Sequence, residues 1–351
     1  MDKQSHTKFN LNSFLMAFST ALDNTVPNNI NGVKFSSKAL AYIALKLASK
    51  LELSNEIKSD IFSYCIISKN ETFLRNINHI PFNNKKSLDG NIETIIINIA
   101  SFIIENIYVK DNTIVNQDEL KRILNENETI PLNIKDAFNE ISKPESFWYD
   151  LMSSQIVFYI FNHLEDFTQE ILFDDLIQFT AIVHDSVYNY TKRDYKNSCI
   201  DFKAYELCNY FNFDNKDKAR FIIASHLHNI GLLFISQDIL LKQSSLDDSQ
   251  YQIIKQAPYF TNSILQQVLG FDDIANLCLS YMEKPNKSGY PNNLSGSQLS
   301  LKHRLLATLS AAQALSEKRP YRKECNKEQI IQVLKKENFD TQMIKIISNL
   351  K

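Results

Sequence analysis

The scarcity of helix-breaking residues is the feature of this sequence that most limits its fold. Only 6 glycines and 8 prolines punctuate 351 residues, and the segments between them repeat apolar residues at three- and four-residue intervals. That spacing is typical of amphipathic helices, and the sustained period-two alternation of half-buried strands is absent. The sequence therefore predicts an all-α protein, with helices at 37–53, 56–67, 92–107, 154–163, 202–211 and 216–228.

Composition narrows the class of protein. With 44% hydrophobic and 22% charged residues the chain can bury a core, and its net charge of −2 comes from mixed acidic and basic residues. No broad positive face for nucleic acid follows. The five cysteines form no CxxC pair, which favours buried thiols in a reducing compartment.

Targeting and membrane signals are weak. The first 18 residues contain no uninterrupted apolar stretch and no small-residue cleavage site, so they make a poor signal peptide. The most apolar run, 94–109, is interrupted by polar residues and is too short to cross a bilayer. We expect a cytoplasmic protein with neither a membrane nor a nucleic-acid partner.

Two polar seams suggest where the chain divides. The stretch 110–133 is rich in acidic residues and asparagine, with a short helix at 117–125. At 141–145, Pro144 can begin a new helix that carries Phe147, Trp148 and Tyr149 as core aromatics. We place an N-terminal helical domain at 1–143 and a second domain at 144–351.

One amphipathic helix ends in two histidines, in the segment Ala-Ser-His-Leu-His-Asn-Ile-Gly at 224–231. Gly231 can end the helix. His226 and His228 are two residues apart and would point about 200° apart on a helix, so at most one can face a given metal. On this segment alone, each histidine is better explained as structural than as a ligand.

Further motifs follow this segment at regular spacing. They are His228-Asn-Ile-Gly231, Ile235-Ser-Gln-Asp-Ile-Leu240 followed by Lys242, Ala257-Pro258, Tyr281-Met-Glu283, Ser288-Gly-Tyr-Pro291 and Arg319-Pro-Tyr-Arg322. No gap is needed between 228 and 291. Together they resemble the motifs HDIG, IPxxIL, HP, HHE, SGYP and RPYR of the HD-GYP phosphohydrolases. The resemblance covers about 185–338 and implies a helical HD-type bundle.

Active members of that family hold two or three transition metals with histidines and aspartates and hydrolyse cyclic di-GMP. Here most ligand positions carry other residues: Asn229, Ala257, Tyr281, Met282 and Ser310, while Leu232 and Asn286 replace a lysine and an aspartate of the motifs. None of these is a competent metal ligand. The family's first histidine aligns with either Asp194 or Lys196, so the resemblance leaves His228 and Asp194 as weak metal candidates.

Other motif positions still match. The resemblance implies ligand binding by Glu283, by the loop Ser288, Gly289, Tyr290 and Pro291, and by Arg319 and Arg322, whose guanidinium groups suit phosphate. The alternative is that the loop packs and caps the bundle, with Tyr321 in the core and the arginines as ion-pair partners.

The first part of the chain, 15–70, is similar to the extra HD-type domain that precedes the HD-GYP domain in some tandem proteins. Its matching segments are Ala17–Asp23, Ala39–Ala44, Leu51–Ser54 and Tyr64–Lys69. Ser68 and Lys69 stand where histidine and aspartate would, and a lysine there would repel cations. The resemblance implies tandem HD-type bundles; an unrelated helical bundle is the alternative.

Three functions remain open at this point. The leading hypothesis is a catalytically inactive HD-GYP-like regulatory or adaptor protein, with His228 and Asn229 as remnants, no cofactor, cyclic di-GMP as a ligand, and a protein partner or a homo-oligomer. The first alternative is a residual metal-dependent phosphohydrolase acting on cyclic di-GMP, with a site drawn from His184, Asp185, Asp194, His226 and His228. The second is a purely structural dimerisation scaffold. Whether those groups converge distinguishes the first two hypotheses.

Overall fold

The computed structural model describes residues 6–25, 36–68, 70–80, 92–111, 113–153, 155–164, 168–192 and 200–350. The chain forms two compact units. One is Asn10–Thr168, and the other combines Met1–Phe9 with Gln169–Lys351. We call them the inserted unit and the main unit.

The inserted unit is built on helix α2, whose residues are buried along almost its whole length. Helices α3, α5, α7 and α9 all pack against it. Ser36 and Ser54 begin α2 and α3 as N-caps, each accepting a backbone N–H of the first turn. The helices are α1 Leu11–Thr25, α2 Ser37–Lys50, α3 Asn55–Ile67, α4 Glu71–Arg75, α5 Ile92–Asn106, α6 Gln117–Glu126, α7 Leu132–Ile141, α8 Glu145–Leu151 and α9 Ile156–His163, with a 3₁₀ helix at Ile77–His79 and the antiparallel strands β2 Val109–Lys110 and β3 Thr113–Ile114.

The main unit is built around helix α12, against which α10, α11, α16 and α17 pack. Its elements are β1 His6–Phe9 paired antiparallel with β4 Gln169–Leu172, then α10 Phe173–Tyr190, α11 Ile200–Tyr210, α12 Asn215–Leu227, a 3₁₀ helix at Ile230–Phe234, α13 Gln237–Leu240, α14 Asp248–Ile254, α15 Ala257–Leu265, α16 Asp272–Leu279, α17 Leu301–Ser316, α18 Lys327–Lys336 and α19 Thr341–Ser348. Phe9 of β1 is buried against the rings of Phe179 and Phe271.

The all-α prediction is confirmed, since the strands in the described residues form only two short ribbons. Each of the six helices expected from periodicity is present, with ends that differ by up to three residues. Pro144 precedes α8 as expected. Phe147 and Trp148 are buried, but Tyr149 is 59% exposed and is not a core residue.

The division between units falls at 168/169, not at the expected 143/144. Helices α8 and α9 stay with the inserted unit because Tyr42 holds both of them. Its hydroxyl donates to Asp150 Oδ2 at 2.7 Å, and its ring lies 5.7 Å from that of Phe147 and 4.9 Å from that of Tyr159. The polar seam at 110–133 lies inside this unit, as a hairpin and helix α6.

Within the described ranges, no helix combines the length and the hydropathy needed to cross a membrane. Helix α5, which contains most of the apolar run at 94–109, has 15 residues and buries one face, with Ile96, Ala100, Ile103 and Ile104 in the core.

The N-cap of α12 provides a test of the main unit. Asp214 Oδ1 accepts the backbone N–H of Asp217 at 2.7 Å. We expect Asp214→Ala to lower the free energy of unfolding by about 1 kcal/mol, since the first turn loses its cap. Asp214→Asn, which can still accept that hydrogen bond, should change stability much less. Denaturant unfolding followed by circular dichroism measures both, and equal losses would contradict the capping role.

Candidate functional site

His228 ends α12 and lies at the centre of the candidate site. Its Nδ1 is 2.8 Å from the carbonyl oxygen of Ser225, and its Nε2 is 2.9 Å from Ser310 Oγ. Because a carbonyl can only accept, Nδ1 carries the proton, and the Nε2 lone pair accepts from the Ser310 hydroxyl. The imidazole also meets the Tyr281 ring edge to face, with centroids 4.9 Å apart.

His226 belongs to a different network. Its Nε2 is 2.7 Å from Asp201 Oδ1, and its Nδ1 is 3.0 Å from Thr180 Oγ1. Burial works to raise the pKa of Asp201, but the hydrogen bond and charge of His226, with the charge of His184, outweigh it, so this pKa is lowered. The ring of His184 lies near those of His226 and Tyr188, with centroid distances of 5.9 Å and 4.3 Å. The two histidines of the motif thus have separate surroundings.

A cavity of about 440 Å³ opens beside His228. This volume is within the usual range of small-molecule sites, roughly 300 to 1,000 Å³. Its walls combine four motif positions of the family's metal site with the SGYP loop and the RPYR segment: His228, Asn229, Tyr281, Ser310, Ser288, Tyr290, Arg319 and Arg322. The sequence motifs therefore do converge in space.

The glycine of the HDIG-like motif allows α15 to approach this site. A Cβ on Gly231 would lie 2.0 Å from the carbonyl oxygen of Ala257, so no side chain fits. The hydroxyl of Thr261 completes the crossing, accepting from Gly231 N at 2.9 Å and donating to the carbonyl of His228 at 3.0 Å. Ala257, at the place of the HP histidine, is packed into this crossing.

Glu283 organises the SGYP loop. The side chain is buried, and its two carboxylate oxygens accept the backbone N–H groups of Asn292, at 2.6 Å, and Leu294, at 2.9 Å. Gly289 passes so close to the backbone of Glu283 that a Cβ would come within 2.4 Å. Glu283 therefore holds the backbone of the loop, and its expected ligand contact stays a prediction. Ser288 and Tyr290 reach the cavity wall.

The two motif arginines are held by the protein itself. Arg322 donates to the carbonyl oxygens of Ala314, at 2.8 Å, and Leu315, at 3.0 Å, near the C-terminal end of α17. Arg319 Nη2 is 2.7 Å from Oε2 of Glu317, which is completely buried. The capping and ion-pair roles considered as the alternative are thus present, whereas Tyr321, expected in the core, is 58% exposed.

Glu317 is the residue of this site that no motif marked. Besides its ion pair with Arg319, its Oε1 atom accepts hydrogen bonds from the Tyr188 hydroxyl and from Gln313 Nε2, the latter at 2.8 Å. Its place two residues before Arg319 of the RPYR segment was the available signal, but its partners lie up to 129 positions away in sequence.

The donor atoms in the cavity do not fit a metal centre. Amide, phenol and hydroxyl groups stand at Asn229, Tyr281 and Ser310, and the Nε2 lone pair of His228 is taken by Ser310. In the described part of the chain, no three His, Cys, Asp or Glu side chains are grouped as metal ligands would be. Asp194 and Lys196 lie outside the described residues, as does Lys69 in the inserted unit.

The contacts of Arg322 predict a stability effect. Since its guanidinium makes charge-assisted bonds to two carbonyls near the end of α17, we expect Arg322→Ala to lower the free energy of unfolding by about 2 kcal/mol. Lys318→Ala, which removes an exposed positive charge from the same segment, should stay within about 0.5 kcal/mol. Denaturant titrations measure the free energy of unfolding of both variants. An Arg322→Ala variant as stable as the unchanged protein would disprove the capping role.

Comparisons with known proteins match the same part of the chain. A family model described as an HD domain matches residues 179–342. The 3'3'-cGAMP-specific phosphodiesterase 3 of Vibrio cholerae is 34% identical over 99 residues, which are 28% of this chain and 22% of that protein. The cyclic di-GMP phosphodiesterase PdeB of Borreliella burgdorferi is 29% identical over 126 residues, 35% of this chain and 33% of that protein.

One solved structure extends the similarity to both units. The crystal structure of a cyclic GMP-AMP specific phosphodiesterase of V. cholerae, V-cGAP3, superimposes with a TM-score of 0.56 and covers 98% of this chain and 99% of that one. At 15% identity, this similarity concerns the fold alone. The chain spans between 22% and 33% of the length of these curated relatives.

Proposed function

We propose that the main unit, whose residues 179–342 match a model of the HD domain and resemble the HD-GYP family, binds a cyclic dinucleotide in its cavity without hydrolysing it, as a regulatory or adaptor protein. The observation that carries this proposal is the convergence of the HDIG, HHE, SGYP and RPYR positions around one cavity whose metal-ligand positions hold uncharged side chains.

The cavity walls have the chemistry that a nucleotide requires. Tyr281 and Tyr290 supply aromatic faces and phenol groups, and Ser288, Asn229 and Ser310 supply neutral donors and acceptors for phosphate and base edges. Stacking of a base on an aromatic ring contributes about 1–3 kcal/mol and needs no metal. Arg319 lines the cavity, and it is the motif arginine that we retain as a phosphate contact in addition to its ion pair with Glu317.

Hydrolysis requires more than this wall offers. In the family, clustered ligands hold the metals that activate the attacking water. Here one imidazole remains at those positions among the described residues, and it is already engaged by Ser310. A nucleotide-binding protein derived from a phosphodiesterase would keep the residues that recognise the nucleotide and lack the residues that bind the metals. The cavity has this combination.

The residual phosphohydrolase remains the second candidate, and two observations favour it. The relatives are named as phosphodiesterases of cyclic dinucleotides. In addition, His228 donates from Nδ1 to a carbonyl, as metal-binding histidines commonly do, which directs Nε2 at the site. A purely structural dimerisation scaffold is the third candidate, and it predicts no nucleotide affinity.

We therefore expect the purified chain to bind cyclic di-GMP or 3'3'-cGAMP at micromolar concentrations and to release no linear product when Mn²⁺ or Fe²⁺ is added. Calorimetric titration measures the binding, chromatography measures turnover, and elemental analysis measures bound metal. Turnover with stoichiometric metal, abolished by His228→Ala, would establish the phosphohydrolase instead. If neither nucleotide binds, the structural dimerisation scaffold is the remaining candidate.

Restoring one ligand should not restore activity. Asn229→Asp returns the carboxylate of the HD pair, but groups that act as one catalytic unit do not contribute additively. We expect this variant to show no turnover of cyclic di-GMP and no gain of stoichiometric Mn²⁺, by the same chromatographic and elemental measurements. Turnover from this single change would mean that the metal site is much more complete than its donor atoms indicate.

A further inference from the structure

A lysine outside the family motifs stands beside the aromatic wall of the cavity. The Nζ atom of Lys255 lies 5.3 Å from the ring centroid of Tyr290 and 5.8 Å from that of Tyr251. Both tyrosines line the cavity, and so does Ile254, the residue before the lysine. An ammonium group at these distances from two ring faces is attracted by both, in the range of about 0.5–1 kcal/mol at exposed sites.

Lys255 adjoins the cavity wall through its two tyrosine neighbours, and the cationic side chains that line the wall itself already have protein partners. Lys284 pairs with Glu337 at 2.7 Å, Arg319 pairs with Glu317, and Arg322 binds carbonyl oxygens of α17. Each carries a charge that protein groups already offset. Lys255 has neither an ion pair nor a side-chain hydrogen bond with any residue that the structure describes, so only the two rings hold its charge.

The backbone on both sides of Lys255 is fixed. The residue caps the C-terminal end of α14, where its N–H donates to the carbonyl oxygen of Tyr251 at 3.0 Å. Two residues later, Ala257 begins α15 at its crossing with Gly231. A cation on a fixed backbone loses less conformational entropy on binding an anion than one on a mobile loop.

The phenol of Tyr290 keeps its proton. Burial, followed by the proximity of Tyr281 and Tyr251, raises the pKa of Tyr290. Its hydroxyl therefore remains a neutral hydrogen-bond donor and does not form a phenolate that would neutralise the lysine. Together, the rings offer faces for a base and the lysine offers charge for a phosphate, two parts that a nucleotide presents side by side.

We propose that Lys255 is a phosphate-binding residue of this cavity, with Tyr251 and Tyr290 forming the aromatic wall against which the adjoining nucleobase stacks. This assignment rests on the proposed function and adds to it a specificity-determining residue. The ligand class is a nucleotide carrying a phosphodiester next to a base, as a cyclic dinucleotide does.

The test compares three variants of the full chain by calorimetric titration with cyclic di-GMP at low and high salt. Lys255→Met keeps the length of the side chain and removes the charge, Lys255→Arg keeps the charge, and Lys216→Met removes an exposed charge from the first turn of α12, away from the cavity. We expect Lys255→Met to raise the Kd at least about fivefold and to flatten its salt dependence. Lys255→Arg and Lys216→Met should stay within about twofold of the unchanged protein.

The outcomes separate the two proposals. If the unchanged protein does not bind cyclic di-GMP or 3'3'-cGAMP, the proposed function and the assignment of Lys255 both fail. If it binds, and Lys255→Met binds equally well with the same salt dependence, only the assignment fails. Thermal unfolding of each variant checks the fold, and recovery of affinity in Lys255→Arg shows that charge, and not packing on the rings, is responsible.

Discussion

The close contact between Gly231 and the carbonyl of Ala257 is the constraint on which the cavity depends. It brings the start of α15 against the turn after α12, and Thr261 joins the two backbones by bonding to both Gly231 and His228. The imidazole of His228 is thereby placed opposite Ser310 of α17. This backbone contact holds the motif positions at the end of α12 beside those at the start of α15.

The change in residue types also changes the electrostatics of that arrangement. Carboxylates gathered within metal-binding distance repel one another unless a cation is present, so such a site depends on its metal. Asn229, Tyr281 and Ser310 carry no charge, and the Ser310 hydroxyl is a hydrogen-bond partner of His228 Nε2. The interior can therefore pack as an ordinary polar cluster. The one fully buried carboxylate of the wall, Glu317, is matched by Arg319 and by two neutral donors.

The helices and the motif register could be predicted from the sequence because both depend on local spacing. Periodicity located α2, α5 and α12, and the motifs from 228 to 291 predicted residues that share one cavity. The partner that an arginine or a glutamate binds, in contrast, depends on the tertiary structure and not on local spacing. Glu283 binds backbone N–H groups of the loop, and Arg322 binds carbonyl oxygens of α17. The same residue types at these motif positions could equally well bind a ligand, so the motif alone does not distinguish the two roles. The division at 168/169 has no local signal in the sequence, since Tyr42 contacts α8 and α9 from more than a hundred positions away.

Strand β1 has a consequence for how this chain can be divided. Residues 6–9 pair with 169–172 and bury Phe9 against two rings of the main unit. The main unit therefore consists of chain segments that precede and follow the inserted unit in the sequence. A fragment that begins at residue 169 would expose the pairing edge of β4 and a hydrophobic surface left by Phe9. Removing residues 10–168 and joining residue 9 to residue 169 would delete the inserted unit and keep every segment of the main unit. Cutting the chain once, between 168 and 169, would separate β1 from the rest of the main unit.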